Sequence, residues 1–408
     1  HLMDEQEAIT KAQALLNRQG DANVSPLAVY RHAAKADSVQ QRRPNVVLIM
    51  MESMSSKLMK HFGQSETLTP FLDSLYTRSI SFRNFYSAGI HTNHGLYATL
   101  YSFPAMMKRN LMKGSVIPRY SGLPTVLKEN GYYNLFFMTH EGQYDNMNAF
   151  FRTNGYDEVF SQEDYPADKV VNSFGVQDDF LYDYAIPVLN QRAATGQPFF
   201  ATLLSISNHP PYVIPPFFHP KTSEPEMQIV EYADWALRQF FEEARKQPWF
   251  DNTIFVLEGD HGKLVGDAEC ELPESYNHIP LMIYSSRIHP EEKNTFGGQV
   301  DIQPTILGLL NIDYLQNNFG VDLLKEERPC MFYTADNMIV GRNDTLLYLY
   351  NYETQQEFTY HIDNGKLKAV PMDDRFLPLK EYSFSMLQSA EFLVKHGKTV
   401  NSVPFTQQ

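Results

Sequence analysis

The sequence predicts an α/β fold: a mostly parallel sheet sandwiched by helices, followed by a small C-terminal α+β subdomain. Two observations define the main body. From Arg43 onward short apolar runs alternate with amphipathic segments, the pattern of parallel strands buried on both faces and joined by helices. The intervening segments repeat their apolar residues with a helical period. A third observation defines the subdomain: after about Leu324 the chain changes to alternating segments separated by turn residues, as antiparallel strands do.

The elements follow in order. Residues 1–42 read as a polar lead-in arm, with a helical stretch over 8–16 and little core. His1-Leu2-Met3 reads as an expression remnant ahead of a native segment. The main domain is expected over 43–324. Its apolar runs are 46–51, 135–138, 199–206, 254–257 and 281–284. One helix is expected over 124–130, closed by Gly131 as a C-terminal cap. Another is expected over 226–245, with Ile229, Ala233, Leu237, Phe240 and Ala244 on a core-facing side. The subdomain, 325–408, should pair strands near 345–350 and 357–361, turn at Asp363-Asn364-Gly365, and pack a helix over 377–395 back on the body. Residues 402–408 read as a loose tail.

Composition narrows the function. The chain has 408 residues, 43% hydrophobic and 20% charged, enough for a large core. A net charge of -14 and no Lys/Arg cluster of the kind phosphate backbones need exclude nucleic acid as the main partner. Two cysteines, Cys270 and Cys330, are too few for a disulfide framework and are not spaced as a zinc site. They either pair with each other or stay free and buried as small apolar residues. No apolar run reaches the ~18 residues of a membrane helix, and no signal peptide opens the chain. The polypeptide therefore reads as soluble, with room for an anchor removed upstream.

Chemistry collects where the strands stop. In a parallel sheet the ligand site lies beyond the strands' carboxyl ends. Here those ends read Glu52-Ser53, Thr139-His140, Ser207-Asn208-His209 and Glu258-Gly259-Asp260-His261-Gly262. A hydrophobic sheet has no need of such groups, and a metal site does. Each residue also has a plainer reading: Glu52 as a helix cap, Asp260 in a solvated turn, His140 and His209 as loop histidines. Together they point to a cation. The nucleophile must come from elsewhere, and the stretch around His91-Thr92-Asn93-His94-Gly95 supplies a hydroxyl near a helix start, where free N–H groups suit a phosphate. On local sequence alone Thr92 reads more simply as an N-cap, a role compatible with the other.

The motifs Asn45 through Ser53, Gly89-Ile90-His91-Thr92-Asn93-His94-Gly95, Ser207-Asn208-His209-Pro210-Pro211-Tyr212 and Gly259-Asp260-His261-Gly262 resemble the lipoteichoic acid synthase and phosphoglycerol transferase branch of the sulfatase-like, alkaline phosphatase superfamily. Val300 to Leu307 and Gly320-Val321-Asp322-Leu323 look like its closing motifs, so the resemblance covers residues 43–324. It implies an alkaline-phosphatase-like fold in which Glu52, Asp260 and His261 hold one divalent ion, manganese above magnesium or zinc. Thr92 is then both ligand and nucleophile, and His209 contacts the phosphate or protonates a leaving group. His140, Asn146 and Asn93 are placed in substrate binding. The implied partners are a lipid phosphodiester donor and a glycan or alcohol acceptor, outside the cytoplasm, with a membrane anchor ahead of Asp4.

Three departures refine this. The Cys or Ser, then Pro, then Arg of sulfate-ester hydrolases is missing around Thr92. The Trp and Arg that the branch carries after its His140 segment are replaced by Glu141-Gly142-Gln143-Tyr144-Asp145-Asn146-Met147-Asn148, from which Tyr144, Asn146 and Asn148 are candidates to line a head-group pocket for a neutral polar head. The disulfides of phosphoethanolamine transferases are absent from the cysteine count. Against the transferase stand a phosphodiesterase or phosphatase using water, and a catalytically dead binding domain, which a complete ligand set argues against.

Overall fold

The computed structural model describes residues 1–17, 28–33, 43–107 and 109–401. Its centre is an eight-stranded sheet. We number its strands β1 (Asn45–Met51), β2 (Ile80–Tyr86), β3 (Tyr133–Phe137), β4 (Glu158–Phe160), β5 (Phe199–Leu204), β6 (Thr253–Gly259), β7 (Leu281–Tyr284) and β8 (Glu291–Gly298). The spatial order is β8-β2-β7-β6-β1-β5-β3-β4. Every strand but β7 runs in one direction.

β1 shows why the sequence makes this sheet. All seven of its residues are buried, and alternate ones enter different cores, Val46, Leu48 and Met50 on one face and Val47, Ile49 and Met51 on the other. Helices α3 (Thr92–Tyr101), α4 (Leu123–Glu129), α5 (Met147–Thr153) and α8 (Ile302–Leu309) cover the first face through Leu96, Leu127, Phe151 and Ile306. Helices α2 (Pro70–Thr77), α6 (Asp178–Ala194) and α7 (Pro225–Ala244) cover the second through Leu72, Leu181 and Phe240.

The 281–284 run forms a strand but opposes both neighbours, pairing Leu281 with Glu258 and with Phe82. The reason is the connection. Between β6 and β7 the chain makes only the short 3-10 turn Glu274–Tyr276, and a parallel return needs a crossover element.

The lead-in helix α1 (Glu5–Leu16) starts on Asp4, whose carboxylate accepts from Glu7 N at 2.9 Å. It contributes more core than its composition suggests. Ala8, Ile9, Ala12 and Leu16 are buried, a stripe of mostly small residues that lets α1 lie against α9 (Leu377–Lys395). The rest of the arm, 18–27 and 34–42, and the tail 402–408 lie outside the described residues.

The C-terminal strands Met331–Thr334, Met338–Arg342, Leu346–Asn351, Glu357–Asp363 and Lys366–Ala369 form an antiparallel meander. Its last hairpin turns on Asn364 (φ 49°) and Gly365 (φ 76°), the left-handed pair that a tight two-residue hairpin requires. Cys270 and Cys330 are both free, so the paired reading falls. Cys330 is buried, and the half-buried Cys270 thiol donates to Leu272 O at 3.0 Å. Among the described residues no helix is long and apolar enough to cross a membrane.

One buried ion pair ties the meander and α9 to the body. The Arg328 guanidinium donates to Asp301 Oδ1 at 2.5 Å, to Phe319 O at 2.5 Å and to the Tyr382 hydroxyl of α9 at 2.7 Å. Asp301 also accepts from Gly298 N and Val321 N. Arg328→Met is expected to destabilise the fold by about 3–5 kcal/mol, because it strands a buried carboxylate. Chemical denaturation measures this, and a loss below about 1 kcal/mol would show the pair to be dispensable.

Candidate active site

The register of the two central strands builds the site. Met51 pairs with Gly259 across the β1–β6 ladder, so the residues that follow, Glu52 and Asp260, leave the sheet side by side. Asp260 Oδ1 accepts from Ser53 N at 2.8 Å and from His261 N at 2.7 Å. Those bonds fix the carboxylate. Glu52 is held at its backbone N by Ser205 Oγ (3.0 Å) and at Oε1 by Ser53 Oγ (3.0 Å). His261 Nδ1 lies 2.7 Å from Gly262 O; with the ring proton on Nδ1 donated there, Nε2 faces the acids. That Nε2 is 3.6 Å from Glu52 Oε1 and 3.6 Å from Asp260 Oδ2. One ligand atom from each of Glu52, Asp260 and His261 lies within 4.8 Å of the others.

Thr92 reaches this group from the opposite direction. It is the first residue of α3, and His91, not Thr92, occupies the cap position, with no capping bond from its ring. The Thr92 hydroxyl instead donates to Asp260 Oδ2 at 2.8 Å and lies 3.3 Å from Glu52 Oε2. The simpler N-cap reading is therefore corrected: the cap is one residue earlier, and the side chain is turned to the carboxylates. The approach depends on Gly95, where a Cβ would come within 2.3 Å of Asp260 O. Only a glycine lets the first turn of α3 close on the strand end.

The ionisable groups of the cluster shift one another strongly. Burial disfavours ionised Glu52, yet the His261 imidazole beside it holds its carboxyl down at about 2. Burial and the neighbouring Glu52 charge push Asp260 well above the usual range. Burial opposes protonation of His261, but the Asp260 and Glu52 carboxylates overcome it and raise the ring to about 10. Two fully buried carboxylates, an imidazole nitrogen and a hydroxyl are a donor set that a divalent cation fits in type and in charge.

The other sequence candidates fall around this centre. His140 is buried at the end of β3, with Nδ1 3.0 Å from Glu141 O and its ring 4.8 Å from that of Tyr144; burial lowers its pKa. His209 is half-buried, with Nδ1 2.7 Å from Pro210 O and its ring on Phe174 at 4.1 Å. Asn93 Oδ1, in the first turn of α3, is buried and has no protein partner. Two side-chain amides are engaged elsewhere. Asn146 Nδ2 donates to Met112 O at 3.1 Å, and Asn148 Oδ1 accepts from Arg152 at 2.6 Å.

Sequence reading missed the supporting shell. Lys263 Nζ donates to Asn208 Oδ1 at 2.8 Å, and Asn208 Nδ2 donates to Ser53 O at 3.2 Å. Burial pushes the Lys263 ammonium down to about 8, against Glu226 and Glu52. Its position one residue after Asp260-His261-Gly262 was the available signal. Asp178, at the start of α6, accepts from Ile206 N and Ser207 N (2.9 and 3.1 Å) and so positions the loop that carries His209.

The mostly parallel sheet, with carboxylates, an imidazole and a helix-borne hydroxyl at its carboxyl edge, has the alkaline-phosphatase-like fold. A protein of the alkaline phosphatase superfamily from Vibrio parahaemolyticus superposes with a TM-score of 0.85 at 25% identity, over 97% of both chains. The sequence model of the sulfatase family matches residues 44–312, and this chain belongs to that family. It is 26% identical over 354 residues to lipoteichoic acid synthase 1 of Bacillus subtilis, covering 80% of this chain and 54% of that one. The chain spans about half the length of the curated relatives it matches. The lipoteichoic acid synthase LtaP of Listeria monocytogenes shares the fold, with a TM-score of 0.75 at 20% identity over 96% of this chain and 98% of that one.

Proposed function

We propose that this chain is a metal-dependent phosphotransferase that moves a phosphoglycerol-like head group from a membrane lipid to a cell-envelope glycan, outside the cytoplasm, through a phospho-threonine intermediate. The observation that carries the reading is the Thr92 hydroxyl at a helix N-terminus, 2.8 Å from one buried carboxylate and 3.3 Å from another. The relatives named lipoteichoic acid synthase support a cell-envelope polymer as the product.

Glu52, Asp260, His261 and Thr92 would hold the cation, manganese by resemblance. When bound, such an ion lowers the pKa of a ligated hydroxyl and neutralises phosphoryl oxygens. Thr92 Oγ attacks phosphorus as its proton passes to Asp260 Oδ2, 2.8 Å away, the bond from phosphorus to the lipid alcohol breaks, and His209 protonates the departing oxygen. The free N–H groups of the first turn of α3 face the phosphoryl oxygens, and Asn93 Oδ1, unpaired in the protein, accepts from a head-group hydroxyl. His140, neutral through burial, contributes a hydrogen bond without charge. The acceptor hydroxyl then attacks the phospho-threonine and passes its proton to His209, while the Thr92 oxygen leaves and takes its proton back from Asp260.

The test is an assay of the purified chain with manganese against a phosphatidylglycerol-type lipid, chromogenic phosphodiesters, phosphomonoesters and sulfate esters. Diester and lipid turnover is the expected result, with chelator abolishing it. Turnover of monoesters alone would move the reading to a phosphatase, and sulfatase activity without diester cleavage would overturn it.

A further inference from the structure

The mouth of the site carries an apolar fringe that the chemistry above does not use. Val171 and Val213 flank His209 in one shallow pocket, Tyr144 lies against the His140 ring, and Leu264 follows Lys263. All four are exposed. The fifth and most exposed is Val116, with 81% of its surface in solvent. It stands on the segment between α3 and α4, which returns to this edge. Arg109 O lies 3.3 Å from His94 Nε2 in the first turn of α3, Met112 O accepts from Asn146, and Lys113 Nζ is 3.2 Å from Asp145. Five of the nine exposed large apolar side chains among the described residues therefore gather at one end of the sheet. Scattered singly they would mean nothing.

Charge says what covers them. Residues 109–120 contain Arg109, Lys113 and Arg119, all exposed, and no acidic residue, in a chain of net charge -14. The acid that faces the segment, Asp145, is already paired to Lys113. Half-buried Met106, Met107 and Ile117, on the same connection between α3 and α4, pack against the core. Aliphatic tips among cations match the boundary of an anionic bilayer, where apolar side chains enter below the headgroups and cations meet lipid phosphates. A neutral sugar offers an aliphatic tip nothing.

We propose that residues 109–120 and the fringe around His209 are a docking surface for an anionic lipid bilayer, which sets the mouth of the site against the headgroups. The proposal rests on the lipid-donor reading for its purpose, but its test reads binding alone.

The test is cosedimentation with vesicles of phosphatidylglycerol and phosphatidylcholine, against vesicles of phosphatidylcholine only. The chain is expected to partition onto the anionic vesicles, and the double variant Lys113→Glu, Val116→Asp to lose about tenfold or more of that partition, at roughly 1 kcal/mol per cation and tenfold per 1.4 kcal/mol. Cleavage of bis(p-nitrophenyl) phosphate, a soluble diester, should be unchanged in the variant. In Val116→Trp the added indole is expected to shift its fluorescence to the blue with anionic vesicles. Absent wild-type binding, binding the double variant retains, or binding to soluble polyglycerol phosphate in place of vesicles overturns the proposal. Vesicle binding without lipid turnover would keep the docking surface and remove the transferase reading; turnover without binding would do the reverse.

Discussion

Thr92→Ala is expected to lower turnover by about 10⁴-fold or more while the protein still folds. The magnitude is that of removing a covalent nucleophile, where no other group can take over the attack. The structural loss is small. Thr92 is not the helix cap, so the change removes one hydrogen bond to Asp260, worth about 1 kcal/mol. Thr92→Ser keeps a hydroxyl at the same helix position and is expected to retain measurable activity. Steady-state kinetics with manganese, beside a melting curve, separate the two effects. Residual turnover above about one per cent in a Thr92→Ala preparation free of wild type would remove Thr92 from the nucleophile role, since knock-outs of true nucleophiles fall far below that.

On its own Thr92 reads more simply as a cap, whereas Glu52 and Asp260, each with a plainer reading too, are singled out by the set of strand ends; the difference follows from how each is positioned. β1 and β6 are central and buried on both faces, so they appear as continuous apolar runs, and the polar residues that stop them stand out. Thr92 is brought to the carboxylates by a contact 168 residues apart in sequence, which no local pattern encodes. The local pattern shows only a hydroxyl near a helix start, and that is what a cap looks like.

The strands that escaped reading did so for related reasons. β8, Glu291–Gly298, lies at the sheet edge, and its first residues are mostly exposed. Without an apolar face it has no period to detect. β2, Ile80–Tyr86, mixes Arg83 and Asn84 into its run because part of it is exposed. The orientation of β7 depends on what connects it to β6, and apolar content carries no direction. The final helix, by contrast, begins with Pro378 in its first turn and runs to Lys395, and both ends were legible from those signals. The stripe of α1 was underread because alanines bury well while adding little hydrophobicity.

Asp260→Asn is expected to abolish the response to metal without weakening the metal-free fold. Burial and the adjacent Glu52 charge raise the Asp260 carboxyl well above its usual value, so its ionised form is disfavoured in the folded state. A raised carboxyl pKa makes the folded state bind more protons than the unfolded state. Stability therefore falls as pH climbs from the unfolded value, about 3.9, toward the folded one. Asparagine is neutral throughout and keeps an oxygen for the Ser53 and His261 backbone donors. The metal-free variant should then melt at or above the wild-type temperature at pH 7. With manganese the order reverses. A ligand present at about a thousand times its dissociation constant stabilises by about 4 kcal/mol, and the wild type should gain such a shift while the variant, short of one anionic ligand, should not. Melting curves with and without manganese, at matched chelator-treated protein, read both halves. A variant whose melting rises with manganese as far as the wild type would take Asp260 out of the ligand set, and one that melts well below the wild type without metal would refute the electrostatic account of why this buried pair of acids calls for a cation.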